Sequence, residues 1–132
     1  MSSLRLIIAA MAISLLSGCA SSPDVPTMRS LIAQTTPVCV GEADCDAKWK
    51  AAQHWVVNYA GLPVHVVTDT LIDTYIGNTQ DPRLIVRVTK VPLGADRFQI
   101  LFFASCNYPY GCIPDKWNAT INFNRTIDAI VQ

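Results

Sequence analysis

Four cysteines lie in two pairs with identical spacing, and they carry the clearest chemistry in this chain. Five residues separate Cys39 from Cys45, and five separate Cys106 from Cys112. Such pairs persist as disulfides in an oxidising compartment. Three connectivities are open to four cysteines, and the sequence alone does not choose among them. We favour the local pairs because each segment carries a turn-forming glycine or proline, and each loop then contributes roughly 2–2.5 kcal/mol in the chain-entropy model.

Zinc binding is the alternative for these four thiols. Structural zinc sites usually separate paired cysteines by two to four residues, whereas the gap here is five. An oxidising compartment also disfavours reduced thiols. We therefore predict two disulfides and no metal site.

The histidines and carboxylates form no constellation that predicts catalysis. His54 lies in a predicted helix and His65 at the start of a predicted strand, so their spacing is not that of a metal pair. His65 could meet Asp69 or Asp73 in space, but a partly exposed histidine with water or backbone partners is the simpler interpretation. The glycines do not form a phosphate-binding loop. We predict no catalytic residue and no enzymatic activity.

The first 19 residues have the organisation of an export signal. Arg5 is the only charged residue among the first 23, residues 6–16 are apolar, and the tetrapeptide Leu16-Ser17-Gly18-Cys19 follows. A helix of this length cannot cross a hydrocarbon core of about 30 Å. The pattern therefore predicts a cleaved signal and not a permanent membrane span.

The same tetrapeptide resembles the lipobox of bacterial lipoproteins, although the resemblance covers only the first 19 residues. It implies that residues 1–18 are removed and that Cys19 is acylated, so that a covalent lipid is the only cofactor. Two or three acyl chains anchor a protein stably. Ala20 stands where enteric lipoproteins retained at the inner membrane have Asp, which implies delivery to the outer membrane. The alternative is an ordinary secretory signal cut nearby.

The processed chain has the size and charge of one small domain without a basic surface. From Cys19 it contains 114 residues, enough for a single core. Because Arg5 is the only charge that processing removes, nine basic and ten acidic residues remain. No basic footprint for nucleic acid follows from this balance, so we expect no nucleic-acid partner. The chain has five cysteines, an odd number, and modification of Cys19 leaves four that can pair.

Three segments organise the chain. Residues 1–18 are the predicted signal peptide, residues 19–37 a lipidated tether and residues 38–132 a single periplasmic domain. The tether contains Pro23, Pro26 and Pro37 together with several Ser and Thr. Within it, residues 28–33 are apolar enough to dock on the domain as a strand or a short helix.

Hydrophobic periodicity predicts a helix at each end of the domain. The first covers residues 47–60 with Asp46 as its N-cap and Gly61 just beyond its end. One apolar face of this helix recurs at three- and four-residue steps: Trp49, Ala52, Val56 and Tyr59. The second helix starts at Pro114 or Asp115 and runs to about residue 130.

Between the helices, alternating apolar residues predict three to four strands. The segments are residues 63–69, 71–76, 83–91 and 97–105. Short turns between consecutive strands favour an antiparallel sheet with the helices packed on one face. We therefore predict an α+β fold of the order α-β-β-(β)-β-α, held by two local disulfides.

Two surfaces are candidates for binding. The loop closed by Cys106 and Cys112 displays Tyr108 and Tyr110 next to Trp117, unless these rings lie on the domain's own core. Constrained tyrosines lower the entropy cost of binding.

The second candidate is the back of the sheet. If the even-numbered residues of the strand over residues 97–105 face the helices, Leu101 and Phe103 point the other way, beside Ile85 and Val67. An apolar patch of that size needs a cover. Either the tether around residues 31–32 or a partner protein provides it.

These features predict a non-enzymatic outer-membrane lipoprotein whose domain faces the periplasm and binds another envelope protein. Its layout is similar to that of the small α+β lipoprotein subunits of envelope assembly machines, such as those for β-barrel insertion or lipopolysaccharide export. The alternative is a periplasmic inhibitor or ligand-binding lipoprotein that uses the tyrosines between Cys106 and Cys112. A small envelope hydrolase is the third class.

Overall fold

The computed structural model describes residues 24–131, so the predicted signal peptide and Cys19 lie outside the described residues. The described chain contains three α-helices and a five-stranded sheet, and the predicted α+β class is confirmed. The elements in chain order are α1 (Val25–Thr35), β1 (Val38–Val40), α2 (Gly41–Trp55) with a π-helical turn (Val56–Ala60), β2 (Val64–Val67), β3 (Leu71–Thr74), β4 (Ile85–Gly94), β5 (Arg97–Ser105) and α3 (Lys116–Asp128).

The sheet is antiparallel throughout, with the strand order β1-β5-β4-β3-β2. Strands β2 to β5 correspond to the predicted strands. The turn between β4 and β5 holds Ala95 and Asp96 at φ values of 50° and 58°. Positive φ at both positions is typical of a type I′ hairpin turn, whose twist matches that of the flanking strands. Strand β1 is an addition that the sequence did not predict, and it pairs with residues 97–99 only.

The two faces of the sheet have different environments because side chains alternate along each strand. Val86, Val88 and Ile100 are fully buried on one face. Phe98 and Phe102 pack against the same core, as predicted for the even-numbered residues of β5. Helices α2 and α3 cover this face, and α1 packs on α3.

Three aromatic rings from three different elements form the centre of the core. Trp55 of α2 lies edge-on to Phe102 of β5 and to Phe123 of α3, with ring centroids 5.2 and 5.4 Å apart. Phe102 and Phe123 stack on each other at 4.3 Å. The Trp55 Nε1–H donates to Asn122 Oδ1 at 2.9 Å, which gives the buried indole its polar partner. This aromatic cluster joins both core helices to the sheet.

Helix α2 begins earlier than its predicted start. The prediction that Asp46 is the N-cap is wrong, because Asp46 lies inside the helix and Val40 takes the N-cap position. Asp44 Oδ2, in the first turn of the helix, accepts the Val40 backbone N–H at 2.9 Å. Gly41, with φ at 78°, turns the chain from β1 into the helix, a conformation that favours glycine.

A π-helical turn at the end of α2 changes which residues meet the core. The predicted apolar face is confirmed at Trp49, Ala52 and Val56, which are all buried. Tyr59 was predicted on that face and is instead 58% exposed, while Ala60 is fully buried. A π turn holds more residues than an α turn and so shifts the buried position by one.

Helix α3 starts at the predicted place. Asp115 is its N-cap, and one carboxylate oxygen accepts the backbone N–H groups of Trp117 and Asn118 at 3.1 and 3.0 Å. This satisfies two donors that the first helical turn leaves free. The prediction of a C-terminal helix opened by Asp115 is confirmed.

Helix α1 occupies part of the segment predicted as a tether. Residues 28–33, predicted to dock, pack on α3, where the buried Asn124 Nδ2 donates to the Ile32 carbonyl at 3.3 Å and to Thr35 Oγ1 at 3.1 Å. The expectation that residues 31–32 cover the back of the sheet is wrong, because these polar contacts hold α1 on the helical side.

Both local disulfides are present. Cys39 pairs with Cys45 and Cys106 with Cys112, with Cα atoms 4.9 and 5.6 Å apart. The favoured connectivity is confirmed. In this disulfide-bonded form the four cysteines offer no thiolate to a metal.

The aromatic cluster predicts unequal effects of two phenylalanine substitutions. Phe123→Ala removes a fully buried ring and should lower the free energy of unfolding by about 3–5 kcal/mol. The matched control Phe103→Ala removes an exposed ring from the same domain, and we expect a loss below about 1 kcal/mol. Urea unfolding of the oxidised protein, followed by circular dichroism, measures both. Equal losses would contradict the core described above.

Candidate binding surfaces

The side of the sheet that faces away from α2 and α3 is bare in residues 24–131, and we call it the open face. Leu101 and Phe103 of β5 lie on this face and are 40% and 64% exposed. The prediction that both point away from the helices is confirmed. Ile85 of β4 lies near Phe103 in one shallow groove, as expected, whereas Val67 belongs to β2, beyond β4 and β3.

An ion pair between neighbouring strands lies beside Phe103 on the open face. Arg87 of β4 donates from Nε to Asp73 Oδ1 at 3.2 Å and from Nη2 to Asp73 Oδ2 at 2.6 Å. The pair follows the strand register, in which Asp73 lies opposite Arg87 and Arg87 opposite Phe103. The hydrogen bonds to Asp73 and its negative charge raise the pKa of Arg87 above its usual value. The open face therefore combines an aromatic ring with a locally neutral, oriented ion pair.

A groove of about 550 Å³ runs across this part of the open face. The His65 ring lies against the Tyr75 ring, with centroids 4.4 Å apart, and both line the groove together with Phe103. Within residues 24–131, no hydrogen bond joins His65 to Asp69 or Asp73, so the acid–histidine pairing that the sequence left open is not formed. The groove can accept an apolar or aromatic side chain.

The loop from Cys106 to Cys112, which we call the tyrosine loop, is fixed at one end of the sheet. Asn107 Nδ2 donates to the Gly77 carbonyl at 2.7 Å, and the Ile113 N–H donates to the Pro82 carbonyl at 2.8 Å. Tyr108 and Tyr110 meet edge to face at 5.4 Å, and Tyr110 is 86% exposed. The Tyr110 ring is therefore displayed to solvent and does not lie on the core.

Trp117 lines a different groove from the one beside the tyrosine loop. It lines a groove shared with Ile32 of α1 and Phe102 of β5, and Lys116 Nζ lies 5.1 Å from the centre of its ring. Of the five residues predicted for binding, Leu101 and Phe103 lie on the open face, and Tyr108 and Tyr110 lie in the tyrosine loop. Trp117 lies beside α1, in a groove that Phe103 also lines.

Sequence reasoning assigns none of four further residues of the open face to binding, although it considers His65 and Asp73 as an acid–histidine pair. The four residues are His65, Asp73, Tyr75 and Arg87. The available signal was the alternation of β3 and β4, which places Asp73 and Arg87 on the polar side of each strand. Their pairing also needs the strand register, which a single sequence does not give.

The described part of the chain offers no metal cluster and no membrane-spanning helix. In residues 24–131, no group of three His, Cys, Asp or Glu side chains is arranged to hold a metal ion. No helix in that range is both long and apolar enough to cross a bilayer. Cys19, the predicted acylation site, lies outside the described residues.

Comparison with known proteins assigns no family to this chain. No protein-family model matches the sequence, and neither a search of curated proteins nor a search of solved structures gave a match. The function has to be inferred from the chain's own sequence and geometry.

Proposed function

We propose that this chain is a lipid-anchored envelope lipoprotein without enzymatic activity, and that its domain binds another envelope protein through the open face. The exposure of Phe103, at 64% on the bare face of an antiparallel sheet, is the observation that carries this proposal. Burying such a ring against a partner contributes roughly 1.5–3 kcal/mol.

The composition of the open face supports a protein partner. Aromatic residues and arginine are enriched in protein interfaces and among the residues that dominate binding energy. Here Phe103, Tyr75 and Arg87 lie around one groove. Asp73 holds the Arg87 guanidinium in place, so less side-chain entropy is lost when a partner packs on it.

The lipid anchor is proposed from the N-terminal sequence. Residues 6–16 and the tetrapeptide that ends at Cys19 support removal of residues 1–18 and acylation of Cys19, and Ala20 supports the outer membrane. Helix α1 begins at Val25, six residues after Cys19, so the connection reaches at most about 20 Å. An anchored domain would therefore stay close to the membrane surface, where an envelope partner meets it.

A second candidate function is ligand binding or inhibition by the tyrosine loop in the periplasm. The high exposure of Tyr110 on a disulfide-closed loop supports it. Replacing Tyr108 and Tyr110 by alanine separates the two candidates, because it leaves the open face intact.

The anchor predicts that Cys19→Ser abolishes lipid attachment. Cells fed an alkyne-bearing palmitate analogue should label the wild-type protein in the membrane fraction, whereas the Cys19→Ser variant should carry no label and remain as precursor of higher mass. The matched control Cys106→Ser/Cys112→Ser keeps Cys19 and should be labelled like the wild type. Equal labelling of wild type and Cys19→Ser would contradict the anchor.

The open face predicts a site-specific contact in cells. With p-benzoylphenylalanine at position 103, irradiation should give a discrete cross-linked species of higher mass. The same probe at position 57 is the control, because Val57 is 66% exposed in the π-helical turn of the helical layer. We expect no comparable species there. Absence of a product at position 103, or the same products at both positions, would contradict binding through the open face.

A further inference from the structure

A groove separates helix α1 from the edge of strand β5, and we call it the edge groove. Its walls are Ile32 and Ala33 of α1, Trp117 and Thr120 of α3, and residues 102–105 of β5, and its volume is about 320 Å³. Ile32, Ala33 and Trp117 make most of this surface apolar.

The backbone of β5 is unpaired along the edge groove. Strand β1 pairs only with residues 97–99, and beyond it the Ile100 N–H donates to the Pro37 carbonyl at 2.9 Å. Because backbone groups of successive residues point to opposite edges of a strand, the N–H and C=O of Phe102 and Ala104 point to the same edge as those of Ile100. Within residues 24–131, neither residue has a backbone partner on that edge.

Two cations flank the edge groove, and no carboxylate lines it. Arg29 projects from α1 and Lys116 from α3. Neither forms a salt bridge with a carboxylate in the described part of the chain. The edge groove thus combines an apolar wall, a free strand edge and a positive rim.

We propose that the edge groove binds an extended, acidic peptide segment of a partner protein, which adds a strand to β5. In this mode of recognition, main-chain hydrogen bonds provide affinity and pockets for alternate side chains provide specificity. Phe102 and Ala104 supply the main-chain groups, and Ile32 and Trp117 contact apolar side chains. Carboxylates of the segment pair with Arg29 and Lys116. This site adjoins the open face, and Phe103 lines both, but the edge groove engages the backbone edge of β5 and does not depend on acylation of Cys19, so it goes beyond the proposed function.

A peptide explains the edge groove better than an acyl chain does. A fatty acid would use the apolar wall and one cation, but it would leave the N–H and C=O groups of Phe102 and Ala104 without partners. Removing backbone polar groups from water without a hydrogen bond is costly. An extended peptide forms hydrogen bonds with these backbone groups, and its apolar side chains also pack against the apolar wall.

The test uses synthetic peptides and the full chain in detergent. The probe is a fluorescein-labelled octapeptide of alternating valine and glutamate, titrated by fluorescence anisotropy. We expect saturable binding, weakened at least about tenfold when lysine replaces each glutamate. N-methyl groups on alternate amides of the octapeptide block strand pairing along one edge. We expect them to weaken its binding by a similar factor.

Amide hydrogen exchange locates the peptide. On binding, the amides of Phe102 and Ala104 should gain protection. Those of Leu101 and Phe103 face β4 in the sheet and should not change. This pattern separates strand addition from contact with the apolar wall alone.

Charge reversal on the protein provides a second, independent arm. Arg29→Glu with Lys116→Glu should weaken binding of the valine–glutamate peptide by about tenfold or more. Lys50→Glu with Arg97→Glu is the matched control, because both residues are exposed, neither lines the edge groove, and the net charge changes equally. The control pair should leave the Kd within about twofold, since screening weakens distant charges.

Three results would overturn the proposal. The first is the absence of saturable binding, and the second is equal weakening by both pairs of charge reversals. The third is displacement of the peptide by decanoate without protection of the Phe102 and Ala104 amides, which would assign the edge groove to an acyl chain.

Discussion

The packing of Trp55, Phe102 and Phe123 is the contact on which the rest of the structure depends. These rings join α2, β5 and α3 within 5.4 Å of one another. A domain of this size supports one core, so the cluster commits a single face of the sheet to burial. Helix α1 packs on α3 and therefore lies on the same side of the sheet. The opposite face consequently meets solvent, and Phe103 is exposed one residue away from the half-buried Phe102.

The course of the chain at Pro37 produces the second unusual surface. Strand β1 stops after three residues of pairing, and the preceding chain forms α1 instead of continuing along β5. An unpaired strand edge and an exposed apolar face are both liabilities for a protein on its own. Binding of partners removes both liabilities, which is why the two surfaces support a role in protein interaction. The disulfides fix loop ends and contribute no reactive thiol to either surface.

Local patterns predicted most of the fold, and long-range contacts account for the rest. The alternation of apolar and polar residues was sufficient to predict the strands and the outward direction of Leu101 and Phe103. Asp115 marked the start of α3. The early start of α2 depends on Asp44 reaching back to Val40, and the exposure of Tyr59 depends on a π turn, which apolar spacing does not reveal. The Arg87–Asp73 pair requires strand register, and the edge groove requires the docking of α1 through Asn124. Neither can be read from one sequence.

Hydroxyl-radical footprinting tests most directly the proposal that a partner in the envelope covers the open face. The oxidation of Phe103 would be compared between the purified protein and intact isolated envelopes, with the exposed Tyr59 of the helical layer as internal reference. The account predicts that Phe103 is oxidised in the purified protein and protected in envelopes, while Tyr59 reacts equally in both. Equal oxidation of Phe103 in the two preparations would contradict it.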